Sequence, residues 1–200
     1  VTPAIHVFIG VIGSGKDHNA NTIKNNSETV DRIDFKDPLI EMVSDIVGYD
    51  ISLDYGWFKD HPVGVMRPAD PLQEAMLHSE WADILRKHPE IMTGRKMLTR
   101  VGTEAMRKRN PDCWVDEVEK RIVDSLDEGR SVVNADCRFF NEVERLISFS
   151  RRLVFPVKVY FKFCNYKSAR YNPKLDHESE KMAQTLLSLR LSDGEPIMPH

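Results

Sequence analysis

Cysteine is scarce in this 200-residue chain, and the three present, Cys113, Cys137 and Cys164, lie far apart with no C-x-x-C among them. That argues against a disulfide framework or a cysteine zinc site and fits a reducing cytoplasm. A cationic surplus is also missing: 28 Lys and Arg face 31 Asp and Glu, for a net charge of -3. A nucleic-acid coat is therefore not expected, because binding along a phosphate backbone relies on excess Lys and Arg. A small phosphate ligand needs only a few well-placed cations, and that remains open. Long apolar runs are absent. The stretch over residues 7–12 is short and runs into glycines, so neither a signal peptide nor a membrane span is expected. Repeats and low-complexity segments are lacking. What remains is an ordinary globular balance, 41% hydrophobic and 30% charged, read as a single domain over 1–200.

Apolar residues at 4–9, without polar alternation, predict a buried strand of a parallel sheet. Further strands are expected over 29–35, 131–135 and 153–163, the last with Pro156 at its start or at an edge. Helices are expected from about 16, and over 38–47, 71–87, 95–109, 112–126, 141–147 and 177–189, with Gly129 ending the one before the third strand. Strands alternating with helices predict an α/β fold with a mainly parallel sheet flanked by helices. Residues from about 48 to 95 carry Gly56, Gly64, Pro62, Pro68 and Pro71 in their first half and read as an irregular insertion on the substrate side.

Between the first strand and the first helix lies Gly10-Val-Ile-Gly13-Ser14-Gly15-Lys16-Asp17, a match to G-x-x-x-x-G-K. Glycines let backbone N–H groups approach phosphate oxygens, the helix N-terminus adds positive potential, and Lys16 reaches the outer phosphates. The plain alternative is a glycine-rich turn with a surface lysine. Asp17 stands where Ser or Thr is usual; a carboxylate is also a hard ligand for Mg²⁺, or it caps the helix. His18 follows and is grouped with the ATP-side residues as a packing or capping group. His18, His61, His78 and His88 show no metal-ligand spacing.

Asp136 ends the third strand, where ligands of open parallel sheets sit, and is read as positioning Mg²⁺ or the acceptor oxygen, with Arg138 neutralising phosphate. A loop ion pair is the alternative. Arg95, Arg100, Arg107 and Arg109 crowd one segment around Gly102-Thr103. Guanidinium groups match phosphate oxygens in a bidentate way. At α-helical spacing Arg100 and Arg107 share a face, and Gly102 would let a ligand approach; a solvated basic face explains the run equally well.

Taken in order, these segments resemble the deoxynucleoside monophosphate kinases of tailed bacteriophages. The resemblance covers the Gly10–Asp17 loop, Phe35-Lys-Asp-Pro-Leu39, Arg95-Lys-Met-Leu-Thr-Arg-Val-Gly-Thr-Glu104 continuing through Arg107 to Trp114, and Asp136-Cys-Arg-Phe-Phe-Asn-Glu142. His177-Glu-Ser-Glu180 is similar to a later element. Thr99 stands where that family often has Gln, and residues 192–200 are shorter than the strand and helix the resemblance leads one to expect. It implies a P-loop kinase fold with ATP and Mg²⁺ on the loop, both Asp17 and Asp136 on the metal side, and a lid at about 163–177 in which Lys167 and Arg170 cover ATP. It further implies an acceptor region containing Arg95, Arg100, Gly102, Thr103, Arg107 and Trp114. The expected partners are small nucleotides, with no nucleic acid or membrane and with a second copy of the chain as a candidate. The expected location is cytoplasmic, the host cytoplasm for a phage protein. Two other readings are a phosphomevalonate-kinase-like enzyme, since animal enzymes of that kind also show G-K-D, and a catalytically inactive nucleotide-binding protein.

Overall fold

The computed structural model describes residues 2–11, 13–152 and 157–164, together with 181 and 185. The expected lid and the expected helix at 177–189 lie outside the described residues, apart from positions 163 and 164 at the start of the one and 181 and 185 within the other. Four strands, β1 (Ala4–Ile9), β2 (Val30–Arg32), β3 (Ser131–Asn134) and β4 (Lys158–Phe163), form one sheet in the order β2-β3-β1-β4, and every pairing is parallel. The α/β class with a parallel sheet stands. Among the described residues no helix is long and apolar enough to cross a membrane.

The chain divides into two compact units, residues 1–36 with 114–200, and residues 37–113. The first holds the sheet, α1 (Lys16–Asn25), α6 (Cys113–Asp127, all but its first residue) and α7 (Phe140–Arg152). Alternation along β1 sends Ile5, Val7 and Ile9 to one face, where they pack with Val115, Val118 and Ile122 of α6 and Val143 and Leu146 of α7. Phe8 faces the other way and packs with Ala20 of α1 and with Val133. Helix α1 therefore covers one face and α6 and α7 the other, as right-handed crossovers running in opposite directions require. The connections leaving β1 and its neighbour β3 depart over opposite faces. Their carboxyl ends are therefore the topological switch point, the position where ligands bind in open α/β sheets.

The second unit holds α2 (Asp37–Val47), a 3₁₀ turn (Ile51–Asp54), α3 (Tyr55–Asp60), α4 (Pro71–Lys87) and α5 (Gly94–Thr99). Its core contains Ile40, Val43, Ile51, Phe58 and Leu98. The span expected to be irregular from 48 thus contains two ordered turns, because Ile51, Trp57 and Phe58 are buried and must satisfy their backbone locally. Asp70 caps α4 by accepting from the Leu72 N–H at 2.9 Å, with Pro71 in the first turn. Helix α5 continues from Arg100 to Arg107 with π winding. Seven residues complete almost two α turns but fall well short of two π turns, so Arg100 and Arg107 do not share a face as their spacing predicts.

Candidate functional site: the phosphate loop and the ion cluster beside it

The loop after β1 turns through two left-handed glycines, Gly13 at φ 79° and Gly15 at φ 82°. A side chain at either would be strained. Gly10 is required for a different reason: a Cβ there would land on the Ser14 hydroxyl and 2.7 Å from the Cys164 carbonyl oxygen. Gly15 precedes α1 and supplies no side-chain cap to it. Lys16 is buried, 3% exposed, and its Nζ donates to the Val11 carbonyl at 3.1 Å. Ser14 is equally buried, and its Oγ has no hydrogen-bond partner among the described residues. Buried hydroxyls are nearly always paired, so this one marks a place for a further polar group. His18 is exposed.

Asp17 lies in the first turn of α1, where a negative charge suits the helix N-terminus. Its Oδ1 accepts from Arg32 of β2, and the Lys36 Nζ stands 3.9 Å away. Burial works against its charge, but the Arg32 hydrogen bond and the fields of Lys36, Arg32 and Lys16 outweigh it and hold the carboxyl below its ordinary value. Among the described residues its second oxygen has no hydrogen-bond partner, and the side chain is largely exposed.

Arg32 is one arm of a cluster that the sequence motifs do not single out. Asp34, 2% exposed, accepts at Oδ1 from the Ala135 N–H at 2.8 Å. At Oδ2 it accepts from Arg32 Nε at 3.0 Å, Arg32 Nη2 at 2.7 Å and Lys36 Nζ at 2.7 Å. Burial opposes the Asp34 charge, yet Lys36 and Arg32 hold its pKa down. Burial likewise opposes the Lys36 ammonium, and Asp136 and Asp34 raise it well above its usual value. The signal was present as R-x-D-x-K at 32–36, three charges two residues apart where β2 ends.

Asp136 stands beside this cluster with its oxygens occupied. Oδ1 accepts from the Phe35 N–H at 2.6 Å and Oδ2 from the Lys36 N–H at 2.8 Å. Burial and the negative Asp34 push its pKa up, against the pull of Lys36, Arg138 and these N–H donors. The structure thus gives Asp136 a holding role on the 35–36 backbone. The sequence reading put it on the metal or the acceptor oxygen, because position at a strand end does not reveal which backbone donors converge there. Asn134 completes the turn, donating to the Ile33 carbonyl at 2.8 Å and accepting from the Cys137 N–H at 3.0 Å. The Arg138 N–H donates to Glu142 at 2.7 Å.

The expected acceptor residues lie mostly in the second unit. Arg95 pairs with Asp60 at 2.7 Å, Arg100 is exposed with no ion pair among the described residues, and Arg107 and Thr103 are half-buried. Gly102 was expected to admit a ligand. Its open side instead faces Leu39 of α2, whose Cδ2 would lie 2.7 Å from an added Cβ, so the missing side chain serves helix packing. Trp114 is buried on α6 in the first unit. Arg170 lies outside the described residues. No protein-family model and no curated protein matches this chain.

Proposed function

We propose that this chain is a small kinase that moves the γ-phosphoryl group of ATP, with Mg²⁺, onto a deoxynucleoside monophosphate, giving the diphosphate and ADP. One observation carries the reading: two left-handed glycines, a buried Lys16 and a buried Ser14 hydroxyl with no partner among the described residues, in the turn that joins the carboxyl end of β1 to the start of α1. Those donors suit a polyphosphate. The choice of acceptor rests on the order of the four segments that resemble the phage kinases.

Mg²⁺, when bound, would neutralise charge on the transferring phosphoryl group. The fitting ligand on this chain is the second oxygen of Asp17, held ionised at neutral pH by Arg32 and Lys36. Asp34 holds those two cations in place, and Asp136 fixes the backbone that carries Lys36. Lys16 and the first N–H groups of α1 would steady the outer phosphates. Arg138 and the guanidinium groups of Arg95, Arg100 and Arg107 would offset repulsion between two anions, a repulsion that grows when water is excluded.

The test is ADP release from MgATP with and without each deoxynucleoside monophosphate. Turnover that depends on dTMP, dGMP or another monophosphate supports the reading. Turnover with mevalonate 5-phosphate alone replaces the acceptor, and ATP binding without any turnover replaces the activity.

A further inference from the structure

His61 and His78 lie seventeen positions apart, and the fold brings them together. His61 follows α3 and is 1% exposed. Its ring stacks on Trp57, with centroids 3.4 Å apart and planes 11° from parallel. Trp57 is itself held by its indole N–H, which donates to the Val65 carbonyl at 3.1 Å. Nδ1 of His61 lies 2.9 Å from the Trp57 carbonyl oxygen. A carbonyl can only accept, so Nδ1 carries the proton and Nε2 presents a lone pair. That Nε2 is buried and has no hydrogen-bond partner among the described residues. The ring of His78 of α4, exposed, lies beside that of His61, with the two centroids 5.1 Å apart and the planes tilted by 56°.

This spacing suits two imidazoles sharing one cation. A metal–nitrogen bond of about 2.0–2.1 Å, plus the depth of the ring, puts each centroid roughly 3.2 Å from the ion. At a tetrahedral angle two such centroids lie roughly 5 Å apart. Anchoring of the other ring nitrogen by a backbone carbonyl is what orients metal-binding histidines. Helix α4 also has reason to need an anchor. None of its 17 residues is buried, and Leu72 and Met76 are exposed. An ion pair between Arg67 and Glu74 at 3.1 Å is a weak hold at the surface.

We propose that His61 Nε2 and His78 bind a divalent cation of the zinc class and that this ion clips α4 to the Trp57–His61 stack. Among the described residues no group of three or more His, Cys, Asp and Glu forms a metal cluster, so water completes the coordination. Imidazole donors select Zn²⁺, Ni²⁺ or Co²⁺ over Mg²⁺ and Ca²⁺, which keeps this site apart from any Mg²⁺ taken with ATP. The experiment is calorimetric titration of the full chain with Zn²⁺ in excess Mg²⁺, alongside amide exchange over residues 71–87. His78→Ala is the variant of choice because the side chain is exposed and its removal leaves the buried stack intact. The expected result is one Zn²⁺ whose affinity falls at least about tenfold in His78→Ala, with exchange in α4 slowed by Zn²⁺ in the wild type alone. Zn²⁺ affinity and α4 exchange that are the same in wild type and variant overturn the proposal, as does a wild type that takes no Zn²⁺.

Discussion

Replacing Asp34 tests whether the ion cluster beside the phosphate loop is held by this one carboxylate. In Asp34→Ala the buried Ala135 N–H loses its acceptor, a loss of about 1–3 kcal/mol. Arg32 and Lys36 lose their nearest anion but keep Asp17, and their side chains are 22% and 27% exposed. The full cost of breaking a buried pair, about 3–5 kcal/mol, therefore shrinks to roughly 1–2 kcal/mol here. The sum is about 3 kcal/mol. Asp34→Asn retains an acceptor for Ala135 and should cost roughly half as much. Urea unfolding followed by both tryptophan fluorescence and far-ultraviolet dichroism measures the loss and checks that one transition is being seen. The pH dependence adds a second arm. The Asp34 pKa is lowered in the folded chain, so its stabilisation is complete above about pH 4, the ordinary carboxylate value, and is lost as pH falls through the folded value. The gap between wild type and Asp34→Asn should hold steady from pH 7 to about 5 and close below about 4. A loss under about 1 kcal/mol for Asp34→Ala, or a gap that widens in acid, would refute the reasoning.

Lys16→Ala should keep the fold and lower kcat by roughly 10²–10³, the scale for one preorganised charge-stabilising group; near-normal turnover would move the ATP site elsewhere. Asp17→Asn should raise the Mg²⁺ concentration for half-maximal activity, which a metal titration reads directly, while leaving the melting temperature nearly unchanged because the side chain is largely exposed. Gly94→Ala should destabilise by about 2–3 kcal/mol, since its Cβ would collide with the Phe58 carbonyl and lie 2.6 Å from the Phe58 ring. Gly102→Ala should cost about 1 kcal/mol, because the Leu39 methyl can turn aside; equal losses at the two glycines would contradict the packing described here. Arg100→Lys should raise the KM for the monophosphate and spare that for ATP, whereas unchanged kinetics in lysine variants of Arg95, Arg100 and Arg107 would make the segment a solvated basic face.

The parts of this molecule legible in its sequence are those set by neighbours along the chain. An unbroken apolar run, a glycine loop and an amphipathic helix are short-range patterns, and strand, loop and helix appear where residues 4–25 predict them. The parallel α/β class follows from their alternation. What tertiary structure decided depends on groups far apart in sequence. Asp34 meets the Ala135 N–H and Asp136 meets Phe35 across separations of 101 residues, so only the juxtaposition of β2 and β3 reveals that Asp136 holds backbone and Asp34 holds Arg32 and Lys36. Gly102 looked like room for a ligand until Leu39 of another helix was seen to fill it. Arg100 and Arg107 share a face only if the helix keeps α winding, and the π turns that part them leave no mark in residue spacing. His61 and His78 carry no metal motif because they lie seventeen positions apart with a helix cap between them. Their meeting is a product of packing, in which Trp57 orients one ring and α4 delivers the other.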